Sequence, residues 1–267
     1  QRQMCIRDRS VVGCMFFEWG YRKLMKKPQS VNDLSAAVTG ILLAFVCPVN
    51  MPYWMILVGD FFAIVVVKQL FGGLGYNFAN PAIVGRIALA MGFASRMSTY
   101  GFPADATSTA TPLASSEGID YVTLLLGNHG GVLGETCALT LLLGGLYLIA
   151  TKVISPTIPV TYLATVAVFS LLCGYDPIYQ LLSGGLMLGA IFMATDYATS
   201  PVTKLGQAIF GVGCGLITCF IRRFGSYPEG VCYSIMIMNL VVALIDKAVK
   251  PSRFGVVKSA NKEAAAK

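Results

Sequence analysis

The sequence predicts an all-α, polytopic membrane protein, and three observations support this fold class. Hydrophobic residues fill 55% of the 267 positions, charged residues fill only 12%, and the mean hydropathy is +0.68. In a soluble domain, about a quarter of the residues would be charged. The apolar residues form continuous runs instead of alternating with polar ones, which favours helices over an outer-membrane barrel.

A helix needs roughly 20 mostly apolar residues to cross a hydrocarbon core about 30 Å thick. Nine runs approach or meet this length, and the first of them is clipped. We expect helices at residues 10–21, 34–48, 53–70, 81–96, 131–151, 160–175, 178–195, 205–221 and 230–245.

The amino-terminal residues 1–9 are polar, do not begin with Met and resemble no signal or transit peptide. We therefore expect them to be a non-native or miscalled segment of an amino-terminally truncated chain. The membrane domain then covers residues 10–255, and a cytoplasmic tail covers residues 256–267.

The charge balance is basic, with 20 Lys and Arg against 13 Asp and Glu and a net charge of +7. The basic residues flank the apolar runs, where the positive-inside rule uses them, so we expect no nucleic-acid partner. Threading nine spans by this rule places residues 22–27 and the carboxyl-terminal tail inside. It places the loop 97–129, which carries acidic residues and no Lys or Arg, outside.

The eight cysteines form no C-x-x-C pair, and His129 is the single histidine. A zinc or iron–sulfur site needs several thiolates or imidazoles that converge, so we expect no metal site held by this chain. No Walker A motif is present, and no G-x-G-x-x-G motif follows a strand. The cysteines are typical of small buried side chains.

Two clusters of Gly, Pro and Asn interrupt the apolar runs, at residues 71–86 and 182–203. Each begins with Gly-Gly-Leu and reaches a polar group beside a proline, which includes Asn77 and Asn80 in the first cluster and Asp196 in the second. Irregular backbone at membrane depth must be buried in protein or line a cavity. Paired interruptions indicate a repeat with a ligand site at its interface, and two unrelated tight turns are the alternative.

Charged residues within the apolar runs are costly, so each is a candidate for an ion path. Asp60 and Lys68 lie about 12 Å apart along one helix, too far for a direct salt bridge. We expect Lys68 to extend to the cytoplasmic interface. Glu135 is either an ion-path residue or a carboxylate at a helix start, where the helix dipole favours it. Gly211 and Gly215 indicate close helix packing.

The outer loop contains a hydroxyl-rich string, DATSTATPLA, at residues 105–114. Such a string is typical of a flexible loop with a turn. It lacks the cations that would hold a phosphate by charge. A covalent link to one hydroxyl would retain a phosphorylated cofactor without them.

Several strings along the chain carry a family resemblance. They are GGLGYNFANPAIVGR at 72–86, STATPLA at 108–114, GNHGGVLGETCAL at 127–139, FMATDYATSPVT at 192–203 and RRFGSYPEG at 222–230. In this order they resemble the D subunits of the Rnf electron-transport complex, which are related to the B subunits of the sodium-pumping NADH:quinone reductase. The resemblance covers nearly all of residues 30–255, and the forms DYATSPVT and FGSYPEG favour the Rnf subunits.

The resemblance implies a fold of two inverted repeats and an FMN held through a phosphoester to Thr111. Thr111 is the last position of the motif Ser108-Thr109-Ala110-Thr111, in which Thr109 stands where the family has glycine. A second flavin is left open. The further cofactor-binding candidates are Ser108, Asn77, Asn80, Arg86 and Asp196.

The implied function is electron transfer between ferredoxin and NAD within a complex of the bacterial or archaeal cell (inner) membrane, coupled to movement of sodium ions or protons. The expected partners are the other Rnf subunits, which would contact ferredoxin and NAD, and membrane lipid. We expect no catalytic residue in this chain, and Asp60, Glu135 and Glu229 are the ion-path candidates. The alternatives are a B-type subunit of the sodium-pumping reductase, a flavin-free solute channel or transporter, and a structural membrane anchor.

Overall fold

The computed structural model describes residues 2–101, 108–109, 120–127, 129–132, 134–225 and 230–250. The regular secondary structure of these residues is helical apart from one short strand pair, which confirms the predicted all-α class. The pair joins β1 (Tyr100–Gly101) to β2 (Ser108–Thr109) in antiparallel register, with Tyr100 opposite Thr109.

Twelve α-helices follow one another along the described residues, and two of them continue into π-helical segments. They are α1 (Arg2–Leu24), α2 (Ser35–Phe45), α3 (Tyr53–Phe61, continuing as the π-helix Phe62–Gln69), α4 (Pro81–Gly92), α5 (Ala94–Met97), α6 (Tyr121–Leu126), α7 (Ala138–Ala150), α8 (Thr157–Leu172), α9 (Pro177–Leu182), α10 (Leu186–Leu188, continuing as the π-helix Gly189–Met193), α11 (Lys204–Phe224) and α12 (Val231–Ala248). A 3₁₀ turn at Val31–Asp33 precedes α2.

Within the described residues, α11 and α12 are each long and apolar enough to cross a membrane alone. Four further apolar helices, α2, α4, α7 and α8, are shorter. Large apolar side chains such as Leu146, Leu172 and Leu244 are exposed on the outside of the bundle. This distribution fits helices that face lipid or other apolar partners.

Several predicted helix boundaries are wrong. The first helix begins at Arg2 and not at residue 10, and Ile6 is fully buried, so residues 2–9 are part of the helical fold. The predicted helix 131–151 begins only at Ala138. The predicted helix 178–195 is two pieces, α9 and α10 with its π-helical continuation, because Gly184 between them adopts a φ of 71° that an α-helix does not tolerate.

The packing order of the helices repeats along the chain. In a first half, α1 packs on α2 and on α3, whereas α4 packs on α2 and on α3. In a second half, α8 packs on α9 and on α11, whereas α12 packs on the π-helix after α10 and on α11. The fourth members of the halves, α4 and α12, pack on each other. In the nine-span threading, equivalent helices lie five spans apart and run in opposite directions, as an inverted repeat requires.

This correspondence changes the predicted pairing of the two glycine clusters. The connection 70–80 leads into α4 and is therefore equivalent to the part of the sequence between α11 and α12. The connection 194–203 leads into α11 and is equivalent to 46–52, which leads into α3. The pairing of Gly72-Gly73 with Gly184-Gly185 is wrong, because the first pair follows a π-helix and the second precedes one.

Glycines allow the helices of each half to approach closely. A Cβ atom at Gly215 of α11 would lie 2.6 Å from Cβ of Thr165 on α8, and a Cβ atom at Gly211 would collide with Thr161. Gly213 faces Met238 on α12 instead. The prediction that Gly211 and Gly215 serve helix packing is confirmed.

We expect Gly215→Ala to destabilise the protein by about 1–3 kcal/mol, because the added methyl group overpacks the α8–α11 contact. The matched control is Gly20→Ala in α1, where nothing lies within 4 Å of the new Cβ atom. That substitution should be neutral or stabilise by roughly 0.5–1 kcal/mol through helix propensity. A thiol-reactive dye, which reports exposure of the buried Cys14 and Cys214 on heating, measures both midpoints. Equal midpoints would contradict the packing assignment.

The threading predicts that residues 97–129 lie outside the cell and that the carboxyl-terminal tail lies inside. Ser116→Cys and Ser252→Cys, each in a chain whose eight native cysteines are replaced, should differ in their reaction with an impermeant maleimide added to intact cells. Residue 116 should react, and residue 252 should react only after the cells are opened. The reverse pattern would overturn the topology.

Candidate functional site

The connections 70–80 and 194–203 meet at the start of α4. Asn80 caps this helix, since its Oδ1 accepts from the backbone N–H groups of Ala82 and Ile83, and Pro81 occupies the first helical position, where no N–H partner is needed. The Nδ2 of Asn80 donates to the carbonyl oxygen of Met193, 3.2 Å away at the end of the second π-helix. This contact confirms the prediction that the stretches Gly72–Pro81 and Gly184–Pro201 lie near one another.

Asn239 of α12 is hydrogen-bonded to both connections, 70–80 and 194–203. Oriented to satisfy its neighbours, its amide nitrogen donates to the carbonyl oxygen of Thr199 at 3.0 Å, and its amide oxygen accepts from the backbone N–H of Asn80 at 3.1 Å. Asn239 is buried. Sequence reasoning missed this residue, although an Asn within an apolar helix near the carboxyl end was a usable signal.

A cavity of about 370 Å³ opens between these connections, and we call it the break cavity. Its volume is within the range of about 300–1,000 Å³ that is usual for small-molecule sites. Its wall combines apolar side chains from α2, α7 and the second π-helix with polar groups. The polar and ionisable lining residues are Ser35, Thr39, Lys68, Asn77, Asn80, Thr195, Asp196 and Tyr197.

The break cavity brings together three of the predicted cofactor-binding residues, Asn77, Asn80 and Asp196. Asp196 accepts a hydrogen bond from the Thr199 hydroxyl at 3.1 Å. The Oδ1 atom of Asn77 is buried and has no hydrogen-bond partner among the described residues. Asn77 therefore presents a buried acceptor that a bound molecule could use, whereas the side chain of Asn80 is already engaged in the fold.

One residue that lines the break cavity, Lys68, belongs to a buried ion pair. Lys68 Nζ lies 3.0 Å from Glu18 Oε2, and both side chains are at most 2% exposed. Gln69 and Ser30 donate to the other oxygen of Glu18, at 2.9 and 2.5 Å, and Lys68 Nζ also donates to Ser35 at 2.5 Å. The expectation that Lys68 extends to the interface is wrong, because Glu18 supplies a partner inside the protein. Glu18 was missed, although it lies within the first apolar run.

A second buried ion pair lies apart from the break cavity. Arg86 NH1 on α4 lies 3.3 Å from Glu135 Oε1 and 3.6 Å from Cys232 Sγ on α12. Arg86 is not among the residues that line the break cavity, so the structure separates it from Asn77 and the other cofactor candidates.

Glu135 does not begin a helix, because α7 starts three residues later at Ala138. Its carboxylate packs against Gly185, where any side chain would collide with Oε1. Glu135 thus connects three parts of the chain. Its own segment lies before α7, its ion-pair partner Arg86 is on α4, and Gly185 precedes α10. The helix-dipole explanation for Glu135 is wrong, and charge pairing replaces it.

Asp60 is fully buried where α1, α2 and α3 meet. Ser10 and Cys14 of α1 contact its Oδ1 at 2.6 and 3.3 Å. In the second half, the contact between α8 and α11, which is equivalent to that between α1 and α3, holds hydroxyl groups instead, together with Ser234 of α12. There the hydroxyls of Tyr162, Thr218 and Ser234 lie 2.6–2.9 Å from one another.

Thr111 and Glu229 lie outside the described residues, and Ser108 is described only through its backbone in β2. The β1–β2 pair places Ser108 and Thr109, within the hydroxyl-rich string, beside Tyr100 and Gly101, which follow α5. In the part of the chain that is described, no group of three or more His, Cys, Asp and Glu side chains is arranged to hold a metal ion.

Comparison with known proteins identifies similar chains. The chain is 51% identical over 259 residues to the D subunit of the Na⁺-translocating ferredoxin:NAD⁺ oxidoreductase complex of Acetobacterium woodii, a match that covers 93% of this chain and 81% of the relative. It is 40% identical to the D subunit of the proton-translocating ferredoxin:NAD⁺ oxidoreductase complex of Clostridium ljungdahlii, over 92% and 82% of the two chains. It is 37% identical to the D subunit of the ion-translocating oxidoreductase complex of Stutzerimonas stutzeri, over 84% and 76%.

The profile of the NQR2, RnfD, RnfE family matches residues 3–255. This range includes every described helix from α2 to α12 and all of α1 except its first residue. The break cavity and both buried ion pairs therefore lie inside the matched region. The chain belongs to the NQR2, RnfD, RnfE family.

Proposed function

We propose that this chain is the D-type membrane subunit of an ion-translocating ferredoxin:NAD oxidoreductase complex and that it carries FMN on Thr111. The observation that carries the proposal is the 51% identity, over 93% of the chain, to the Acetobacterium woodii protein of that name. The other subunits of the complex would be its partners, and ferredoxin and NAD would bind to those subunits. A purified wild-type chain without flavin would instead favour the solute channel or transporter.

The sequence chemistry of the outer loop supports a covalent cofactor. Loop residues 98–128 include no Lys or Arg, so charge alone cannot retain a phosphate there. A phosphoester to a threonine hydroxyl keeps the cofactor attached however weak its other contacts are. Thr111 precedes Pro112, which favours an extended backbone at Thr111 and so favours an accessible side chain. The FMN would supply the electron-transfer chemistry, and the protein would set its position.

The break cavity is a second place where a flavin would fit. The buried acceptor Oδ1 of Asn77 matches an N–H donor of a heteroaromatic ring, and Phe192 and Leu148 supply apolar wall. Lys68 and Asp196 also line this cavity, and the charge of Lys68 is paired with Glu18. Asn80 would act indirectly, since its amide holds α4 and Met193 in place.

Coupling to an ion would use carboxylates that lie within the bundle. Asp60 and Glu135 are both buried, and Glu229 precedes α12 in the sequence. Two of the relatives differ in the ion that their names give, sodium for the Acetobacterium protein and protons for the Clostridium protein. Glu135 is neutralised by Arg86, so a change in the Arg86–Glu135 contact is one way to make its carboxylate available.

Replacement of Thr111 tests the covalent site. Thr111→Ala should abolish the fluorescent flavin band on a denaturing gel, because no hydroxyl remains for the phosphoester. Thr111→Ser should retain part of the band, since only a methyl group is lost. The protein is coexpressed with a flavin transferase, and membrane content is measured by immunoblot.

Ser108→Ala is the matched control for this experiment, because it removes a hydroxyl from the same string and should leave the band intact. An undiminished band in Thr111→Ala would refute the assignment. A flavin adduct on the Ser108 peptide in mass spectrometry would refute it as well.

Replacement of Asn77 tests the break cavity. Asn77→Leu should remove flavin that acid releases from the purified complex, because the buried acceptor is lost, and should leave the gel band of the covalent flavin unchanged. Ile237→Ala, at an exposed position of α12 that does not line the cavity, is the control and should retain the released flavin. Equal amounts of released flavin in wild type and Asn77→Leu would contradict the role of Asn77.

A further inference from the structure

The carboxyl group of Asp60 has an unusual environment for a charged group. The residue is 0% exposed, and the neighbouring Ile56 and Ile64 on its own helix are also fully buried. Its Oδ2 atom has no hydrogen-bond partner among the described residues. A Cβ atom at Gly13 would lie 2.5 Å from Oδ2, so this oxygen packs directly against the Gly13 backbone.

No cation neutralises Asp60 in the described part of the chain, since none of the four ion pairs there includes it. On the π-helix after α3, Lys68 is paired with Glu18 of α1. On α4, Arg86 is paired with Glu135. Of the remaining titratable groups on these elements, Cys14 contacts Asp60, and Arg9 stacks on the Tyr53 ring. Arg7 pairs with Asp8, and Arg22 donates to Gln69. The other titratable groups of α1 that the structure describes are Cys5, Tyr21 and Lys23, and Cys47 lies after α2. A buried carboxylate without a partner costs several kcal/mol, whereas the neutral acid avoids most of this cost.

The two short contacts of Ser10 Oγ can both be hydrogen bonds only if Asp60 carries a proton. Ser10 Oγ lies 2.9 Å from the carbonyl oxygen of Gly40 and 2.6 Å from Asp60 Oδ1. Ser10 has a single hydroxyl hydrogen, so it can donate to only one of these two acceptors. If Asp60 is protonated on Oδ1, it donates to Ser10, Ser10 donates to Gly40, and both contacts are hydrogen bonds.

The same geometry does not fit a metal ion. A hard cation gathers about six oxygen ligands. Among the described residues, the one oxygen of another residue that is hydrogen-bonded to the Asp60 carboxyl group is Ser10 Oγ, which also contacts the Gly40 carbonyl oxygen. The Oδ2 atom packs against the Gly13 backbone.

We propose that Asp60 is a proton-binding site inside the bundle, occupied as the neutral carboxylic acid with its proton shared toward Ser10 and Gly40. The assignment of the proton stands on the structure of this chain. Only its role in turnover, as a group that releases and rebinds one proton, rests on the proposed function.

Infrared spectroscopy of the purified complex tests the assignment. The wild type at neutral pH should show a carboxylic-acid C=O band that is lost in Asp60→Asn, an isosteric change that keeps the Ser10 contact. Glu135→Gln is the matched control, because Glu135 is ion-paired with Arg86 and should contribute no such band. An unchanged band in Asp60→Asn would overturn the proposal. If Asp60→Asn does not fold, Ser10→Ala should shift the band to higher frequency, and an unshifted band would overturn it.

An apolar carbodiimide, which reacts with protonated carboxyl groups, distinguishes a proton from a sodium ion. Peptide mass spectrometry should find the adduct on Asp60 at equal rates in KCl and NaCl. Slower reaction in NaCl would mean that sodium occupies the site and would overturn the proposal.

In proteoliposomes, Asp60→Asn should lose ion transport per electron transferred. Transport that persists at the wild-type ratio would overturn the role in turnover. Failure of the wild-type complex to transfer electrons would count against the proposed function and leave the infrared assignment standing.

Discussion

The structure depends on one constraint: a charged group inside the bundle must find its counter-charge or its proton there. Two ion pairs satisfy it by joining segments distant in sequence, Glu18 to Lys68 and Arg86 to Glu135. Removing one member of such a pair costs about 3–5 kcal/mol, since the other is left buried and unpaired. The pairs therefore fix how α1 lies on the π-helix after α3 and how the segment before α7 lies on α4.

The polar groups of irregular backbone must likewise find partners inside the protein. The connection 70–80 ends at Asn80, whose polar groups are satisfied within the protein, as irregular backbone at membrane depth would require. Asn80 caps α4 and reaches Met193, and Asn239 bridges Asn80 to Thr199. The polar atoms that this arrangement leaves without partners, above all Asn77 Oδ1, mark the place where a bound molecule would complete it.

Composition and pattern were sufficient for the helical class, for the close packing at Gly211 and Gly215, and for the proximity of Asn80 to the segment around Asp196. These features depend on local chemistry: hydropathy, small residues and helix caps. The pairing of Gly72-Gly73 with Gly184-Gly185 was wrong because equivalence of two segments is decided by which helices pack on which. The fate of Lys68 could not be predicted either, because its partner Glu18 lies fifty residues away. Thr111, Ser108 and Glu229 remain predictions from the resemblance.

The contact between α4 and α12 joins two halves that share a helix order. Their equivalent contacts hold different polar groups: Ser10 and Asp60 meet between α1 and α3, whereas the hydroxyls of Tyr162 and Thr218 meet between α8 and α11 and are joined by Ser234 of α12. A duplicated framework can thus keep its architecture while the chemistry of its copies differs. Among the described residues, a carboxyl group lies at this contact in the first half and hydroxyl groups lie there in the second, so the two sides of the bundle are not chemically interchangeable.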